Sequence, residues 1–232
     1  MKGYGHTAAS LLFLTGLGIL LMALLQALPF GHAPMQVGQA IVAAAPGDTG
    51  ADNIVTAILL GYRGLDTLGE VTILFVAASA AGMVLGSARR GEAQAINAGF
   101  ILHSAAYLLF PFLLVLGAYI VLHGHLTPGG GFQGGAILAA AFFVPILASP
   151  ASPFNHRTAV LVEGFAGAAF IMIGLYSLVG GSAFLTPFLG KGAAGSLFSA
   201  GSLPLLYLAI GLKVGSELAG LMARVSGGEA SS

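Results

Sequence analysis

The chain has 232 residues, of which 57% are hydrophobic and 7% are charged, whereas about 25% of the residues in soluble domains are charged. This composition predicts an integral membrane protein. Eight basic and eight acidic residues exclude a basic field for nucleic acid, and zero cysteines exclude disulfides, thiolate zinc sites and cysteine-held iron–sulfur clusters.

Apolar runs of about 20 residues can cross the hydrocarbon of a bilayer as helices. We therefore predict an all-α polytopic membrane protein with about six transmembrane helices, at residues 8–28, 65–86, 96–122, 130–148, 158–179 and 202–224. The first run could instead be a cleaved signal peptide, since Lys2 precedes it. It is longer than the usual core of a signal peptide, so we interpret it as a retained span.

The distribution of lysine and arginine between the spans predicts the orientation, because these residues are enriched on the cytoplasmic side. With both termini cytoplasmic, five basic residues lie inside and two lie outside. The inside set is Lys2, Arg89, Arg90, Arg157 and Arg224, and the outside set is Arg63 and Lys191. We predict a multi-pass protein of the cell inner (plasma) membrane in this orientation.

Between the first two spans, residues 31–52 are rich in Gly, Pro and Ala, and we predict an ordered or partly ordered extracytoplasmic loop there. Residues 53–62 are apolar but short, which favours an interfacial or re-entrant helix, or an extension of the second span. A charged linker at 87–94 divides the chain into a two-span front part, 1–94, and a four-span back part, 95–232.

Ionisable side chains within the spans are functional candidates, because each costs about 2.5 to 3.5 kcal/mol to place at the bilayer centre. The candidates for an ion pathway are Glu70, Asp66, His103, Glu163, Lys213 and Glu217. Their spacing within each helix indicates which of them can pair with a neighbour and so have a structural role, and which of them remain candidates for ion transport.

Lys213 and Glu217 lie one helical turn apart and can meet on one face. They could form a structural ion pair, or Lys213 could take part in proton transfer, since a desolvated lysine can lose its proton near neutrality. In the second span we favour an interfacial pair between Arg63 and Asp66, which leaves Glu70 as the stronger candidate for handling protons or sodium.

Three candidates lie at matched depth. Counting about 1.5 Å per residue from the predicted span ends places His103, Glu163 and Glu217 roughly 7 to 11 Å into the membrane. They could form one polar cluster, with Glu70 and Lys213 continuing a line toward the outer face. The simpler interpretation of His103 is a core histidine that contacts Tyr107 one turn away.

The segment GHLTPGGGFQGG at 124–135 joins two spans and is dense in glycine. It has neither the lysine nor the preceding strand of a phosphate-binding loop, which disfavours that interpretation. We predict that His123 and His125 are solvated groups that cap the preceding helix, and we predict no metal site because a third ligand is missing. Small residues favour close helix packing, including packing against other subunits. They occur as the glycines of this segment and as small-residue pairs at 164 and 168 and at 211 and 215.

Two stretches of the back part resemble the B subunit of multisubunit Mrp-type sodium/proton antiporters: LHGHLTPGGGFQGG at 122–135 and SAGSLPLLYLAIGLKVGSELAG at 199–220. The residues that carry the first match are His125, Thr127, Pro128, Gly129, Gly130, Gly131, Phe132, Gly134 and Gly135. In the front part, NIVTAILLGYRGLDTLGE at 53–70 resembles the C-terminal end of the large A subunit of these antiporters, and the equivalent small subunit of membrane-bound hydrogenases.

This resemblance implies a membrane subunit of an Mrp-type cation (Na⁺)/proton antiporter module, either in a complex-I-related energy-converting respiratory complex or in a fused antiporter. Its partners would be other membrane subunits, Na⁺ and/or H⁺, and the lipid bilayer. It implies no cofactor and no catalytic site in this chain, although the whole complex could be an oxidoreductase. Two alternatives are a purely structural subunit that conducts no ion and an autonomous small transporter.

Overall fold

The computed structural model describes residues 3–27, 36–87, 99–148 and 154–226. Within these ranges the chain is helical and has no strand. The helices are α1 Gly3–Ala27, α2 Gln36–Thr49, α3 Ile54–Thr56 with a π-helix Ala57–Tyr62 directly after it, α4 Gly64–Ser87, α5 Phe100–Leu122, α6 Gly131–Ala148, α7 His156–Val179 and α8 Leu203–Val225. Six of them, α1 and α4 to α8, are long and apolar enough to span a membrane, which confirms the predicted fold class.

The chain divides into two compact units, residues 1–40 and 41–232. The helix α1 belongs to the first unit, and the helix packing described below belongs to the second. The predicted division of the chain at residues 94 and 95 lies outside the described residues, as do Lys2, Arg89 and Arg90. The cytoplasmic placement of both termini therefore stays a prediction.

The predicted loop at 31–52 is wrong over most of its length, because residues 36–49 form α2. The alanine-rich stretch before Pro46 has high helix propensity, and Pro46 enters only near the C-terminal end of the helix. The predicted short helix at 53–62 is confirmed. It is a separate element, since Arg63 interrupts the helical geometry before α4 begins.

The most buried span is α8, which packs against α6, α7 and α4 and more lightly against α5. The helix α6 lies between α5 and α8. Connectivity places the turn at 123–130 and the start of α8 at one end of this bundle, which we call the loop end. The start of α7 and the end of α8 lie at the opposite end, which we call the Arg224 end.

Small residues let α8 approach α5 and α6 closely. A Cβ atom on Gly211 would lie 2.7 Å from Val121, and one on Gly215 would lie 3.3 Å from the carbonyl oxygen of Gly135. The predicted close packing at 211 and 215 is thus confirmed within the chain. A Cβ atom on Gly164, by contrast, would have no atom within 4 Å on the exposed side of α7, so packing there against another subunit stays a prediction.

Candidate functional site

A lysine and two glutamates meet between α7 and α8. The Nζ atom of Lys213 donates a hydrogen bond to Oε2 of Glu217 at 2.8 Å, and it lies 3.8 Å from Oε1 of Glu163, which is longer than a hydrogen bond. Lys213 and Glu217 are buried, with 7% and 5% of their surface exposed, and Glu163 is half-buried. The lysine is therefore within reach of two carboxylates but is hydrogen-bonded to one.

The helices around this triad bring the charges together. Gly167 of α7 would place a Cβ atom 3.7 Å from the Lys213 side chain, so α7 packs directly along the lysine stem. From α4, the ring of Phe75 lies with its centroid 5.1 Å from Nζ of Lys213, a cation–π contact that offsets part of the desolvation of the ammonium group. The triad thus occupies the junction of three helices.

A cavity of about 250 Å³ opens beside the triad, between α4, α7 and α8. Glu163 and Glu217 contribute to its wall, together with Ser79 from α4 and Ser216 from α8. The second oxygen of Glu217, Oε1, is buried with no hydrogen-bond partner among the described residues. A carboxylate oxygen in that state needs water or a proton, because an unpaired buried charge is costly.

At the Arg224 end, the same cavity is bounded by His156 at the start of α7 and by Arg224 in the last turn of α8. Nη2 of Arg224 makes a hydrogen bond with Nε2 of His156. The sequence predicts Arg224 at the end of a span and on the cytoplasmic side but predicts no partner for it, and it does not identify His156. Antiparallel helices place the first residue of α7 and the last turn of α8 at one end, and that signal could have found the pair.

Two predicted pathway residues lie outside the triad. Glu70 is exposed on α4 and does not line the cavity beside the triad. Arg63 and Asp66 form an exposed ion pair through Nε and Oδ2, which is the interfacial pair that the sequence favoured. The proposed line from Glu70 to Lys213 is therefore not continuous within the described part of the chain.

Of the predicted cluster of His103, Glu163 and Glu217, the two glutamates meet and the histidine does not. The two glutamates share one cavity. His103 is exposed on α5, where its ring makes an edge contact with Tyr107 at a centroid distance of 4.9 Å. Matched depth could not distinguish these cases, because it fixes a height in the membrane and leaves the helix face and the neighbour undetermined.

The two loop histidines differ from each other. His123 caps α5 as predicted, with Nδ1 at 3.0 Å from the carbonyl oxygen of Tyr119 and its ring stacked on the tyrosine. His125 was predicted to be solvated and is fully buried, with both ring nitrogens lacking hydrogen bonds among the described residues. Burial lowers the pKa of its imidazole, against a smaller opposing effect from the backbone at Ser196 and Leu197.

Asn53 and Thr56 attach the front part of the chain to the glycine-rich loop. The Nδ2 group of Asn53 donates to the carbonyl oxygens of Gly124 and Thr127, both at 2.8 Å. The Thr56 hydroxyl donates to the same Gly124 oxygen and accepts a hydrogen bond from Tyr207 of α8 at 2.6 Å. The loop is therefore held by the residues before α4 and by α8.

The glycines of the loop pack inside this chain. A Cβ atom on Gly130 would lie 2.6 Å from the Tyr207 ring, and one on Gly131 would lie 2.6 Å from Ile210. Gly130 also has φ 131°, which disfavours any side chain. The expected close packing of these glycines is therefore found within the chain, against α5 and α8, and packing of the loop against another subunit stays a prediction.

Six apolar spans, with ionisable groups buried where three helices meet, define a multi-pass membrane protein of the all-α class. Residues 101–220 match the family model of the domain related to the MnhB subunit of Na⁺/H⁺ antiporters, and residues 7–107 match that of MbhE, a subunit of MBH. The chain belongs to the MnhB-related family.

Known proteins similar to this chain include both antiporters and a respiratory complex. The B subunit of the Na⁺/H⁺ antiporter of Bacillus subtilis is 33% identical over 102 residues, which are 39% of this chain and 71% of that protein. A chain of the archaeal membrane-bound sulfane sulfur reductase is 39% identical with a TM-score of 0.79, covering 94% of this chain and 97% of its own length. A chain of the Mrp complex from Dietzia sp. DQ12-45-1b is 25% identical with a TM-score of 0.77, covering 98% of this chain but 26% of its own length.

Proposed function

We propose that this chain is a membrane subunit of an Mrp-type cation (Na⁺)/proton antiporter module within a complex-I-related energy-converting respiratory complex, and that it takes part in ion translocation. The family supports the antiporter module. The match to a chain of an archaeal respiratory complex covers 94% of this chain and 97% of the other chain. This nearly full-length match favours the respiratory setting over a fused antiporter. Its partners are then the other membrane subunits, and it has no catalytic site of its own.

The observation that carries the transport role is the position of Lys213 between two carboxylates. Nζ is hydrogen-bonded to Glu217 and lies 3.8 Å from Glu163, so a small side-chain movement exchanges one partner for the other. Each arrangement leaves a different carboxylate without its cation, and that carboxylate attracts a proton or a metal cation in a low-dielectric environment. A lysine with two alternative partners can thus couple its position to the charge state of the site.

Neutral substitutions separate this role from a purely structural ion pair. Lys213→Gln leaves the buried Glu217 and the half-buried Glu163 without their ammonium group, and we expect it to destabilise the assembled complex by about 3 kcal/mol and to abolish cation-coupled transport. The double variant Lys213→Met with Glu217→Gln removes both charges of the pair, so we expect assembly to recover while transport stays at background.

The measurement is the Na⁺-dependent change of a transmembrane pH gradient in vesicles that contain the assembled complex, with complex abundance measured in the same membranes. Arg157→Gln is the matched control, because it removes an exposed cation at the Arg224 end. Transport by the double variant at the parental rate would show that the buried pair is structural and that this chain conducts no ion.

A structural role has its own support at the loop end, where Asn53, Thr56 and Tyr207 join the front part to the loop. The two roles are compatible, because they use different ends of α8. The double variant tests the transport role without disturbing that network.

A further inference from the structure

We propose that the cavity between α4, α7 and α8 is a water-filled inlet from the Arg224 end to Glu163 and Glu217. This inference rests on the proposed transport role, since it names the route by which protons reach the triad. His156 and Arg224 line the same cavity and mark the end at which the inlet begins.

The size of the cavity and the polar groups in its wall favour water. Its volume of about 250 Å³ holds several water molecules, since about 10–15 Å³ of such space is enough for one. Ser79 and Ser216 supply hydroxyl groups to a wall that is otherwise largely apolar. Oε1 of Glu217, on a side chain with 5% of its surface exposed, is a buried acceptor without a hydrogen-bond partner in the described residues. Hydroxyl groups and an unsatisfied carboxylate oxygen provide the hydrogen bonds that stabilise internal water.

Cysteine labelling of the assembled complex tests the inlet without measuring transport. The chain contains no cysteine, so single cysteines can be introduced and a membrane-impermeant methanethiosulfonate can be detected on this chain by its mass. Ser79→Cys lines the cavity, and its neighbour Ala80→Cys, at matched depth on α4, does not. Arg157→Cys, exposed at the start of α7, identifies the side of the membrane at which the inlet opens.

We expect Ser79→Cys to react from the same side as Arg157→Cys, at least about tenfold faster than Ala80→Cys, because the thiolate that reacts forms only in contact with water. Equal rates at 79 and 80, or labelling of Ser79→Cys from the opposite side, would overturn the inlet. Since labelling requires no ion gradient, this failure is distinct from failure of the proposed transport role.

Discussion

The two halves of α8 are packed in opposite ways. Near the loop end, Tyr207 and Ile210 fill space left by glycines of the loop, and Gly211 receives Val121 of α5. Near the Arg224 end, α8 borders a cavity of about 250 Å³ and carries the charged side chains of Lys213 and Glu217. One helix therefore has a tightly packed half and a half with room for water and charge movement.

This difference indicates a division of roles along the helix. Packing without gaps resists movement, because dense interiors transmit strain and tolerate few alternative arrangements. A polar cavity permits side chains to exchange partners. We therefore expect substitutions near the loop to change stability with little effect on ion specificity, whereas substitutions at the triad change transport.

The largest structural effect is expected from Gly134→Ala. The added Cβ atom would lie 2.9 Å from the carbonyl oxygen of Gly117 and 2.9 Å from the backbone nitrogen of Val121, and backbone atoms cannot rotate away. Because α5 and α6 must separate, we expect a loss of about 3 kcal/mol, measured as a lower thermal unfolding temperature of the assembled complex.

Gly69→Ala on α4 is the control for the Gly134 substitution. No atom lies within 4 Å of a Cβ placed there, so helix propensity alone predicts a neutral or slightly stabilising change. If both alanine variants unfold at the parental temperature, the packing of α6 against α5 is less rigid than the contacts at Gly134 indicate.

A smaller effect is expected from cutting the attachment of the front part to the loop. Asn53→Ala removes two hydrogen bonds to the carbonyl oxygens of Gly124 and Thr127 together with the cap on Val55, at a cost of about 2 kcal/mol. Asn155→Ala removes a cap on Thr158 and should cost about 1 kcal/mol.

The difference between the two asparagine variants measures the attachment itself, because both residues cap a helix through a side-chain oxygen that accepts from a backbone N–H. Chemical denaturation of the assembled complex gives the two values. Equal losses would mean that the side-chain hydrogen bonds of Asn53 to the loop add nothing beyond helix capping, and that the front part is held by its other contacts, such as the hydrogen bond of Thr56 to Gly124.

The spans could be predicted from the sequence because membrane thickness fixes their length and composition. Five of the six are found within a few residues of their predicted limits, and α5 begins at Phe100 within the described residues. The helix α2 was missed because glycine and proline near its ends were given more weight than the alanines between them. Local composition alone does not determine whether the alanines form a helix or the glycine and proline residues prevent one.

The site could be predicted only in part. Spacing along one helix predicted the contact between Lys213 and Glu217, because residues four apart share a face. Three other features depend on how the helices are rotated against each other. Glu163 joins the pair of Lys213 and Glu217, His103 stays outside it, and His156 contacts Arg224. One sequence carries no signal for that rotation when nearly every face is apolar.

The smallest expected effect is a change in acid sensitivity at the loop end. Burial lowers the pKa of His125 in the folded chain below its value in the unfolded chain. The stability that comes from the neutral imidazole is therefore present above about pH 6.5 and is lost as the pH falls below it, because the unfolded chain then binds the proton more readily. In His125→Gln this loss disappears, so we expect a smaller drop in unfolding temperature between about pH 7.5 and about pH 5.5 than in the parent complex. The exposed histidine variant His103→Gln should keep the parental drop. If His125→Gln retained the full acid sensitivity, the buried imidazole would not control it, and the tightly packed loop end would owe its stability to contacts that do not depend on pH.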